Sequence, residues 1–521
     1  MTVSGKNMRQ LLLGEILARN SRKFPRKTAL VWPGGSVSYG KMNDRVNALS
    51  QGLKRLGVKK GDKVALLLTN SPEILEGCFA AFKIGALAVP LNFRLAGKEI
   101  EYILIQSEAS VLILDGEFAE TIQALRSNVP GIRGYIVVGP SSFSGMKNYE
   151  GVIRENRPDE PVVDLSDDDD ALILYTAGTT GRPKGAVLTY KNFMINALNW
   201  VMEYHTGFED KWLCVPPLYH SAALGYSITH FYVGATIYLE KVFDPGGILK
   251  TIQQEKITTL FLVPAMWIRL LQEKNLEACD RSSLRVLNTG AAIMPIEVKN
   301  QLLEAFPNAG IYDCFGQTEM SPAVTLLRAE DALRKQGSVG QALACVEIRV
   351  VNDEDQDVPI GKVGEAIYRG PNVMKGYYKN PEATEEAMRG GWFHSGDLVR
   401  QDEEGYFYVV DRKKDMIISG GENIYPAEVE EVLYRHPDIL EAAVFGIPDE
   451  QWGESVKATV VLKPGKKLTA EEVIDHCKQY LASYKKPKSV DFLDALPRNP
   501  AGKVLKTALR EKYWAKRDRK I

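Results

Sequence analysis

The chain has 521 residues, too many for one hydrophobic core, and a prior of about 150 residues per domain predicts three or four packing units. Hydrophobic residues make up 45% of the sequence and charged residues 25%, the balance of an ordinary globular protein. The 65 Lys and Arg residues nearly cancel the 66 Asp and Glu residues, and the resulting net charge of -1 argues against a nucleic-acid-binding protein, which normally carries a basic excess.

The cysteines and the N-terminus indicate where the protein works. Six cysteines are scattered along the chain without a C-x-x-C pair, so neither a zinc site nor a disulfide framework is expected. The first residues lack the pattern of a signal peptide, and no run approaches the ~18 apolar residues needed to cross a bilayer. The sequence therefore predicts a cytoplasmic protein that touches a membrane only at its surface, if at all.

The N-terminal part alternates short apolar runs with helical segments, which predicts a parallel, layered α/β sheet. Pro72 suits the first turn of a helix, and Gly85 suits the residue after its end. A stretch rich in Ser, Gly and Pro follows over residues 139–170, ends in four aspartates, and is interpreted as a solvated connector between subdomains. The predicted elements are strands at 29–31, 64–68 and 86–90 and helices at 41–56 and from Pro72.

The most informative stretch is Tyr-Thr-Ala-Gly-Thr-Thr-Gly-Arg-Pro-Lys-Gly at residues 175–185. A predicted strand at 171–174 precedes it, and a strand at 186–188 and a helix that Thr189 could cap follow it. Its glycines let successive N–H groups turn inward, where they and Lys184 can surround a polyphosphate. A Walker loop is disfavoured because Pro183 precedes the lysine and Gly185 follows it. If only about four of these residues fitted a phosphate-binding pattern, a flexible surface turn would be the simpler interpretation.

These eleven residues resemble the ATP-phosphate loop of the adenylate-forming superfamily, which includes acyl-CoA synthetases, non-ribosomal adenylation domains and beetle luciferases. The resemblance implies ATP contacts from Thr176, Gly178, Thr179, Thr180, Gly181 and Lys184, with Lys184 also catalytic.

Residues 215–225, Val-Pro-Pro-Leu-Tyr-His-Ser-Ala-Ala-Leu-Gly, resemble the family segment that borders the acyl pocket. Taken alone, His220 would be a hydrogen-bonded packing residue. Strand–helix alternation resumes at 237–239, 260–263 and 286–288, which predicts a second α/β layer. The resemblance implies an acyl pocket formed by Tyr219, His220, Ala222, Ala223, Gly290 and Phe315.

Two segments that follow predicted strands complete the expected nucleotide site. Small residues at 288–292 would allow the close approach of a flat ligand, and Tyr-Asp-Cys-Phe-Gly-Gln-Thr-Glu at 312–319 resembles the family's adenine and phosphate segment. The resemblance implies that Phe315 stacks on adenine, that Thr318 bonds the α-phosphate and that Glu319 holds Mg²⁺, with Thr318 and Glu319 counted as catalytic. Without the resemblance, a turn around a buried Phe would explain residues 312–319 as well as a nucleotide-binding role does. The further implied ATP contacts are Gly290, Ala291, Ala292, Asp313 and Gly316.

Asp397, in Gly-Trp-Phe-His-Ser-Gly-Asp, matches the family residue whose carboxylate binds both ribose hydroxyls. Residues 411–430 are the next most specific match, although residues 412–415 would otherwise be interpreted as a solvated charge run. The resemblance implies a ribose contact from Arg412, a hinge at Lys414 and a CoA tunnel lined by Ser419, Gly420 and Gly421.

The remaining hundred or so residues predict a small α+β unit, with strands at 442–445 and 457–462 and a helix at 470–481. Lys503 matches the lysine of the family pattern Pro-x-x-x-x-Gly-Lys, which implies a catalytic ATP contact. With an unperturbed lysine pKa near ~10.4, it would be a fixed cation at neutral pH.

The expected fold is therefore α/β: a large N-terminal domain of layered α/β subdomains with a small β-barrel-like part, and a small mobile α+β C-terminal domain. The expected boundaries are 1–411 for the adenylation domain, 412–414 for the hinge and 415–521 for the mobile domain. The implied reaction joins a carboxylic acid to coenzyme A through an acyl-adenylate, with ATP, Mg²⁺ and coenzyme A.

The acid is expected to have an apolar tail because the pocket residues include no obvious buried arginine for a second carboxylate. By these residues the chain most resembles fatty-acid CoA ligases, which implies a fatty acid. An aryl acid of the benzoate or coumarate type stays open, as do loading of a carrier protein and a catalytically silent nucleotide-binding protein. Small molecules are the expected partners, with no nucleic acid. Peripheral membrane contact and a homodimer are left open.

Overall fold

A computed structural model describes residues 11–140, 144–176, 183–292, 294–419, 422–498 and 504–515. The chain divides into two compact units: Met1–Ile348 with Tyr368–Phe393, and Arg349–Ile367 with His394–Ile521. The expected mixed α/β fold, with a large N-terminal and a smaller C-terminal part, is confirmed. The expected boundaries at 411 and 415 stay predictions.

The helices of the described residues are numbered in chain order. They are α1 Gly14–Lys23, α2 Tyr39–Arg55, α3 Pro72–Lys83, α4 Gly97–Gln106, α5 Ala119–Leu125, α6 Tyr149–Arg154, α7 Tyr190–Tyr204, α8 Ser221–Val233, α9 Pro245–Glu255, α10 Pro264–Leu271, α11 Ile296–Ala305, α12 Pro381–Ala387, α13 Pro426–Tyr434, α14 Ala470–Tyr480 and α15 Lys506–Trp514. Across these residues, every helix is too short or too polar to span a bilayer.

The strands are numbered in the same way. They are β1 Thr28–Trp32, β2 Gly35–Ser38, β3 Lys63–Leu67, β4 Leu87–Pro90, β5 Ala109–Asp115, β6 Gly134–Val138, β7 Met146–Asn148, β8 Asp170–Thr176, β9 Lys184–Thr189, β10 Lys211–Cys214, β11 Thr236–Leu239, β12 Thr259–Phe261, β13 Val286–Gly290, β14 Gly310–Gly316, β15 Ala323–Leu327, β16 Gln341–Ala342, β17 Glu347–Val351, β18 Gly364–Arg369, β19 Gly376–Tyr377, β20 Phe393–Gln401, β21 Phe407–Arg412, β22 Ile417–Ser419, β23 Glu422–Ile424, β24 Ile439–Asp449, β25 Gly453–Leu462 and β26 Ser489–Phe492.

Two large sheets build the first unit. One has the strand order β19-β9-β8-β4-β3-β5-β6-β7, and the other has the order β16-β15-β14-β13-β12-β10-β11-β1-β2. Their central strands pair in parallel, and the edges that include β9 and β15 are antiparallel. Buried Trp267 packs in the core beside the second sheet, and Trp212 of β10 is also buried. The predicted parallel layers are therefore present.

The second unit is built on antiparallel strands. A four-stranded sheet in the order β17-β18-β20-β21, most of whose residues belong to this unit, precedes a sheet in the order β23-β22-β25-β24, with β26 paired in parallel to β25. The helices α13 and α14 pack on the latter sheet through a core that includes Val429, Val444 and Val473. These elements form the predicted small α+β unit.

The predicted helix boundaries have local causes. Pro72 occupies the first turn of α3, and Gly85 follows this helix with a φ of 72°, a conformation that a residue with a Cβ rarely adopts. Thr189 caps α7 by accepting a hydrogen bond from the Asn192 N–H, while the Asn192 side chain accepts from the Thr189 N–H. The predicted elements all occur, with ends displaced by a few residues.

The interpretation of 139–170 as a connector is wrong for its first half, because β7 and α6 lie within it. Composition favoured a loop, but Tyr149 is buried and its hydroxyl donates to Glu76 Oε2 at 2.8 Å. Of the four aspartates at the end, Asp168 is exposed and the other three are partly buried. Lys191 and Lys375 pair with Asp168 and Asp170 at 2.6 and 2.7 Å.

Candidate active site

The predicted phosphate loop connects two paired strands. The strands β8 and β9 are antiparallel, with Thr176 opposite Lys184 and Tyr175 opposite Gly185. A Cβ on Gly185 would lie 2.6 Å from Ile173 Cγ2, so this position needs glycine for close packing. Thr176 and Lys184 therefore face each other where the loop begins and ends. The predicted ATP contacts Gly178, Thr179, Thr180 and Gly181 lie outside the described residues.

One tyrosine connects the lysine of this loop to the predicted metal ligand. The strand β19 pairs with β9 so that Tyr377 lies opposite Ala186. The Lys184 Nζ is 5.2 Å from the centroid of the Tyr377 ring, a distance at which a cation is attracted to the ring face. The Tyr377 hydroxyl donates to Glu319 Oε1 at 2.9 Å. No sequence motif marks Tyr377, so its place in the site was not predicted.

Thr318 and Glu319 lie in a short 3-10 turn, Thr318–Met320, after β14. Glu319 is buried, and its carbonyl accepts a hydrogen bond from the Met374 N–H at 2.7 Å. The Thr318 and Ser221 hydroxyl oxygens lie 3.3 Å apart. Since Ser221 begins α8, the predicted phosphate segment and the predicted acyl segment meet at this point.

The predicted adenine site lies where two parallel strands end. In the register of β13 and β14, Thr289 lies opposite Asp313 and Gly290 opposite Cys314. Ligands of open α/β sheets bind beyond the carboxyl ends of such strands. Ala291, with a φ of 66°, and Ala292 are exposed at this edge.

Two glycines at this edge are required by the backbone around them. A Cβ on Gly290 would lie 2.6 Å from the Cys314 carbonyl oxygen, and one on Gly316 would lie 1.9 Å from the Pro322 carbonyl oxygen. The pairing of β14 with β15 shifts register between Phe315 and Gly316. Phe315 is half-buried beside this irregularity, which leaves part of its side chain accessible.

The carboxyl group of Asp313 is buried and contacts a buried lysine. The Lys299 Nζ, from α11, is 3.4 Å from Asp313 Oδ2. Burial raises the pKa of Asp313 to about 6, although the nearby Lys299 charge lowers it. Lys299 lies in an ordinary amphipathic helix with no recognisable motif, so its contact with Asp313 was not predicted.

Aromatic rings gather at the predicted acyl pocket. The rings of Tyr219 and His220 have centroids 4.4 Å apart, and Phe93 packs on Tyr219 at 5.5 Å. Burial lowers the pKa of His220 to about 4, so its imidazole is neutral near pH 7. Ala222 is half-buried on α8, whereas Ala223 is buried in its packed side.

In the second unit, the two predicted ribose contacts are neighbours. Asp397 and Arg412 lie opposite each other in β20 and β21, and the Arg412 Nε is 2.5 Å from Asp397 Oδ1. Asp397 is buried, while Arg412 is about one-third exposed. The predicted hinge residue Lys414 lies in the turn after β21, where the Asp415 N–H donates to the Arg412 carbonyl at 2.9 Å.

The predicted tunnel and the predicted C-terminal lysine are only partly described. Ser419 ends β22 and lies opposite Gly453 of β25, but Gly420, Gly421 and Lys503 lie outside the described residues. Arg498 and Val504 form an antiparallel bridge on either side of the segment that contains Lys503.

Two ion pairs that the sequence did not predict fasten α15 within the second unit. The Lys506 Nζ is 2.7 Å from Glu430 Oε1, and the Arg510 Nη2 is 2.7 Å from Asp415 Oδ1. Burial raises the pKa of Glu430, although the Lys506 charge opposes this effect. These pairs connect the helix after Lys503 to α13 and to the residue after Lys414.

The residues around Glu319 fit a magnesium ion of the kind that ATP brings with it. Within the described ranges, no group of three or more His, Cys, Asp or Glu side chains could hold a metal by itself. Magnesium usually binds through one or two carboxylates, waters and substrate phosphates rather than in an all-protein cage. The buried carboxylate of Glu319, the residue after Thr318, would supply such a ligand.

The chain resembles known enzymes over nearly its full length. It is 41% identical to a feruloyl-CoA synthase from an Amycolatopsis species, with 97% of this chain and 100% of that protein covered. A Mycobacterium tuberculosis fatty acyl CoA synthetase structure is 36% identical, with a TM-score of 0.80 and coverage of 98% and 99% of the two chains. A Bacillus subtilis o-succinylbenzoate CoA synthetase in complex with ATP and magnesium ion is 31% identical, with a TM-score of 0.85 and coverage of 95% and 98%.

Family matches agree with these relatives. Residues 17–378 match the AMP-binding enzyme family, and residues 428–503 match the AMP-binding enzyme C-terminal domain. The first match alone covers more than half of the chain, and the relatives cover almost all of it. The chain therefore belongs to the AMP-binding enzyme family, in the acyl-CoA synthetase branch of the adenylate-forming superfamily.

Proposed function

We propose that this protein is an ATP-dependent acid–CoA ligase. In the first step, a carboxylate oxygen of the acid attacks the α-phosphorus of ATP, and pyrophosphate leaves. In the second step, the thiol of coenzyme A attacks the acyl carbonyl, AMP leaves, and the thiol proton passes to solvent. The observation that carries this proposal is the contact of Tyr377 with both Lys184 and Glu319, the residue after Thr318, in a chain of this family.

The first step requires alignment and charge neutralisation but no protein nucleophile. In this proposal Lys184 and Lys503 neutralise the phosphates, while Thr318 donates to an α-phosphate oxygen. Glu319 would hold Mg²⁺, which when bound neutralises phosphate charge and orients pyrophosphate as a leaving group. The hydrogen bond from Tyr377 fixes the orientation of the Glu319 carboxylate.

Asp397 would accept hydrogen bonds from both ribose hydroxyls. Arg412 pairs with Asp397 at 2.5 Å, which supports an ionised, acceptor-only carboxylate at this position. Phe315 would stack on adenine beside Gly290, Ala291 and Ala292. These roles rest on the family resemblance and on the placement of each residue within its own unit.

The second step would need a conformational change. We propose that residues 1–411 form the adenylation domain, that residues 412–414 form the hinge and that residues 415–521 rotate about Lys414. Rotation would withdraw Lys503 and bring Gly420 and Gly421 to the path of the pantetheine arm, beside Ser419. The ion pair of Asp415 with Arg510 supports a rigid attachment of α15 to the residue after the hinge.

The acid is proposed to carry an apolar body. Fatty acids stay the first candidate class, because the predicted pocket combines small residues with aromatic walls. Aryl acids are the second candidate class. Two observations favour them: the packed rings of Phe93, Tyr219 and His220, and the 41% identity to a feruloyl-CoA synthase.

A panel of acids tests the proposal. Fatty acids of increasing chain length, hydroxycinnamates and benzoates are each incubated with ATP, Mg²⁺ and free coenzyme A, and thioesters are measured by chromatography. Thioester formation with at least one class is expected. Acid-dependent pyrophosphate exchange without thioester would instead indicate loading of a carrier protein, and the absence of exchange with every acid would indicate a silent nucleotide-binding protein.

We also propose that the protein works in the cytoplasm, since all six cysteines are free thiols, as in a reducing compartment. Peripheral membrane contact and a homodimer stay predictions.

A further inference from the structure

A lysine and an aspartate are buried together at the predicted adenine edge. Lys299 is 2% exposed and Asp313 is 6% exposed. The Lys299 Nζ lies 3.4 Å from Asp313 Oδ2. Burying two charged groups costs free energy, and removing one partner leaves the other uncompensated. A pair with this cost beside the predicted adenine site calls for a functional explanation.

The strand geometry places Asp313 on the side where a base would stack. Side chains alternate between the two faces of a strand, so Asp313 and Phe315 of β14 point to the same face. Thr289 and Gly290 of β13 lie beside them in the register. Lys299 approaches Asp313 from α11, which begins six residues after Gly290.

We infer that Lys299 is a positioning residue that holds Asp313 as a hydrogen-bond acceptor and thereby makes the site select adenine over guanine. This inference rests on the proposed binding of ATP at this edge. Lys299 contacts Asp313 Oδ2, and the other oxygen, Oδ1, is assigned to the exocyclic amino group of adenine. The structure thus adds to the family resemblance a residue that no motif contains.

The selection follows from donor and acceptor chemistry. An ionised carboxylate only accepts hydrogen bonds, and the amino group of adenine donates them. Guanine carries a carbonyl oxygen at the same position, so two acceptors would face each other without a proton between them. A protonated carboxyl group or an amide could donate to that oxygen, and either change would relax the selection.

The protonation of Asp313 gives the inference a pH signature. Burial raises the pKa of Asp313 to about 6, while Lys299 acts in the opposite direction. Within the described part of the chain, two titratable groups interact electrostatically with the Asp313 carboxyl group: Lys299 from α11 and the thiol of the adjacent Cys314. Adenine selection should therefore weaken as the pH falls through about 6, and removal of Lys299 should move this change to higher pH.

The test is calorimetric titration of the full chain with ATP and with GTP between about pH 5.5 and pH 8.5. The parent should bind ATP more tightly than GTP by about tenfold or more at the higher pH. Asp313→Asn should bring the ratio of ATP affinity to GTP affinity close to one at every pH. Lys299→Met should lower the ratio of ATP affinity to GTP affinity near neutral pH, and the ratio should return towards the parental value as the pH rises.

A matched control is Lys83→Met, which removes another buried lysine of the same unit. Lys83 contacts Asn43 Oδ1 at 2.9 Å and pairs with Glu160, away from β14. This variant should keep the parental ATP-to-GTP ratio at every pH. Thermal denaturation of all variants separates loss of folding from loss of selection.

Three results would overturn the inference. The first is a Lys299→Met protein that folds and keeps the parental ratio across the pH range. The second is an Asp313→Asn protein with an unchanged ratio, and the third is a parent that binds ATP and GTP equally. If the parent prefers ATP in this way but forms no adenylate with any acid, the proposed function fails while the base selection stands.

Discussion

Replacement of Gly316 by alanine would strain the backbone between the predicted adenine and phosphate contacts. An added Cβ would lie 1.9 Å from the Pro322 carbonyl oxygen, 2.9 Å from its carbon and 3.0 Å from Ala323 Cα. The closest usual carbon–oxygen contact is about 3.3 Å, so the backbone must separate by more than about 1 Å. No side-chain rotation can relieve this overlap, because all three atoms belong to the backbone.

Two quantities should change in Gly316→Ala. Overpacking of a packed site costs about 1–3 kcal/mol, and we expect the upper end of this range because backbone must move. A displacement of about 1 Å at Thr318 and Glu319 would lower kcat/KM for pyrophosphate release about a hundredfold. Urea denaturation measures the first quantity, and a coupled pyrophosphate assay measures the second.

Gly207→Ala is the matched control. A Cβ on Gly207 would meet nothing within 4 Å, and its φ is not in the left-handed region. Its free energy of unfolding should stay within about 0.5 kcal/mol of the parent. A Gly316→Ala protein with parental stability and parental kcat/KM would refute the close approach of Pro322 at this turn.

Other predictions concern the remaining site residues. Tyr377→Phe keeps the ring beside Lys184 but removes the donor to Glu319, so the Mg²⁺ concentration for half-maximal pyrophosphate release should rise about tenfold or more; an unchanged Mg²⁺ dependence would contradict this role. Asp397→Ala should weaken ATP binding by ~1.5–3 kcal/mol in calorimetry without unfolding the protein, and parental affinity would remove Asp397 from the site. Lys503→Ala should slow adenylation while leaving the conversion of supplied acyl-adenylate to thioester intact; equal losses in both steps would argue against this division. Gly421→Leu should block thioester formation from supplied acyl-adenylate while leaving adenylation intact, and a parental rate of thioester formation would contradict the tunnel assignment. Gly421→Ala tests whether backbone strain, rather than a blocked tunnel, causes the loss.

The fold was largely predictable because the spacing of apolar residues and the residues that start and end helices act locally along the chain. Pro72 and Thr189 mark the starts of α3 and α7 through their own backbone chemistry, and the structure has both helices where they were expected. The segment 139–170 was mispredicted in part because the burial of Tyr149 against Glu76 comes from residues distant in sequence. Composition carries no information about such a contact.

The candidate site was predictable only where a motif carries it. Thr318 and Glu319 were found in an eight-residue pattern, but Tyr377 reaches Glu319 from 58 residues away. Lys299 reaches Asp313 from a different element with no pattern of its own. Supporting residues of this kind become visible only when the strands and helices are placed in three dimensions.

The central claim is that adenylation precedes thioester formation, and rapid-quench analysis of one turnover tests it most directly. The parent is mixed with ATP, Mg²⁺ and an acid that it accepts, first without coenzyme A and then with it. We predict acyl-AMP and pyrophosphate in equal amounts before coenzyme A is added, followed by conversion of the acyl-AMP to thioester and AMP. Formation of ADP and phosphate, or of thioester without prior acyl-AMP, would contradict the account.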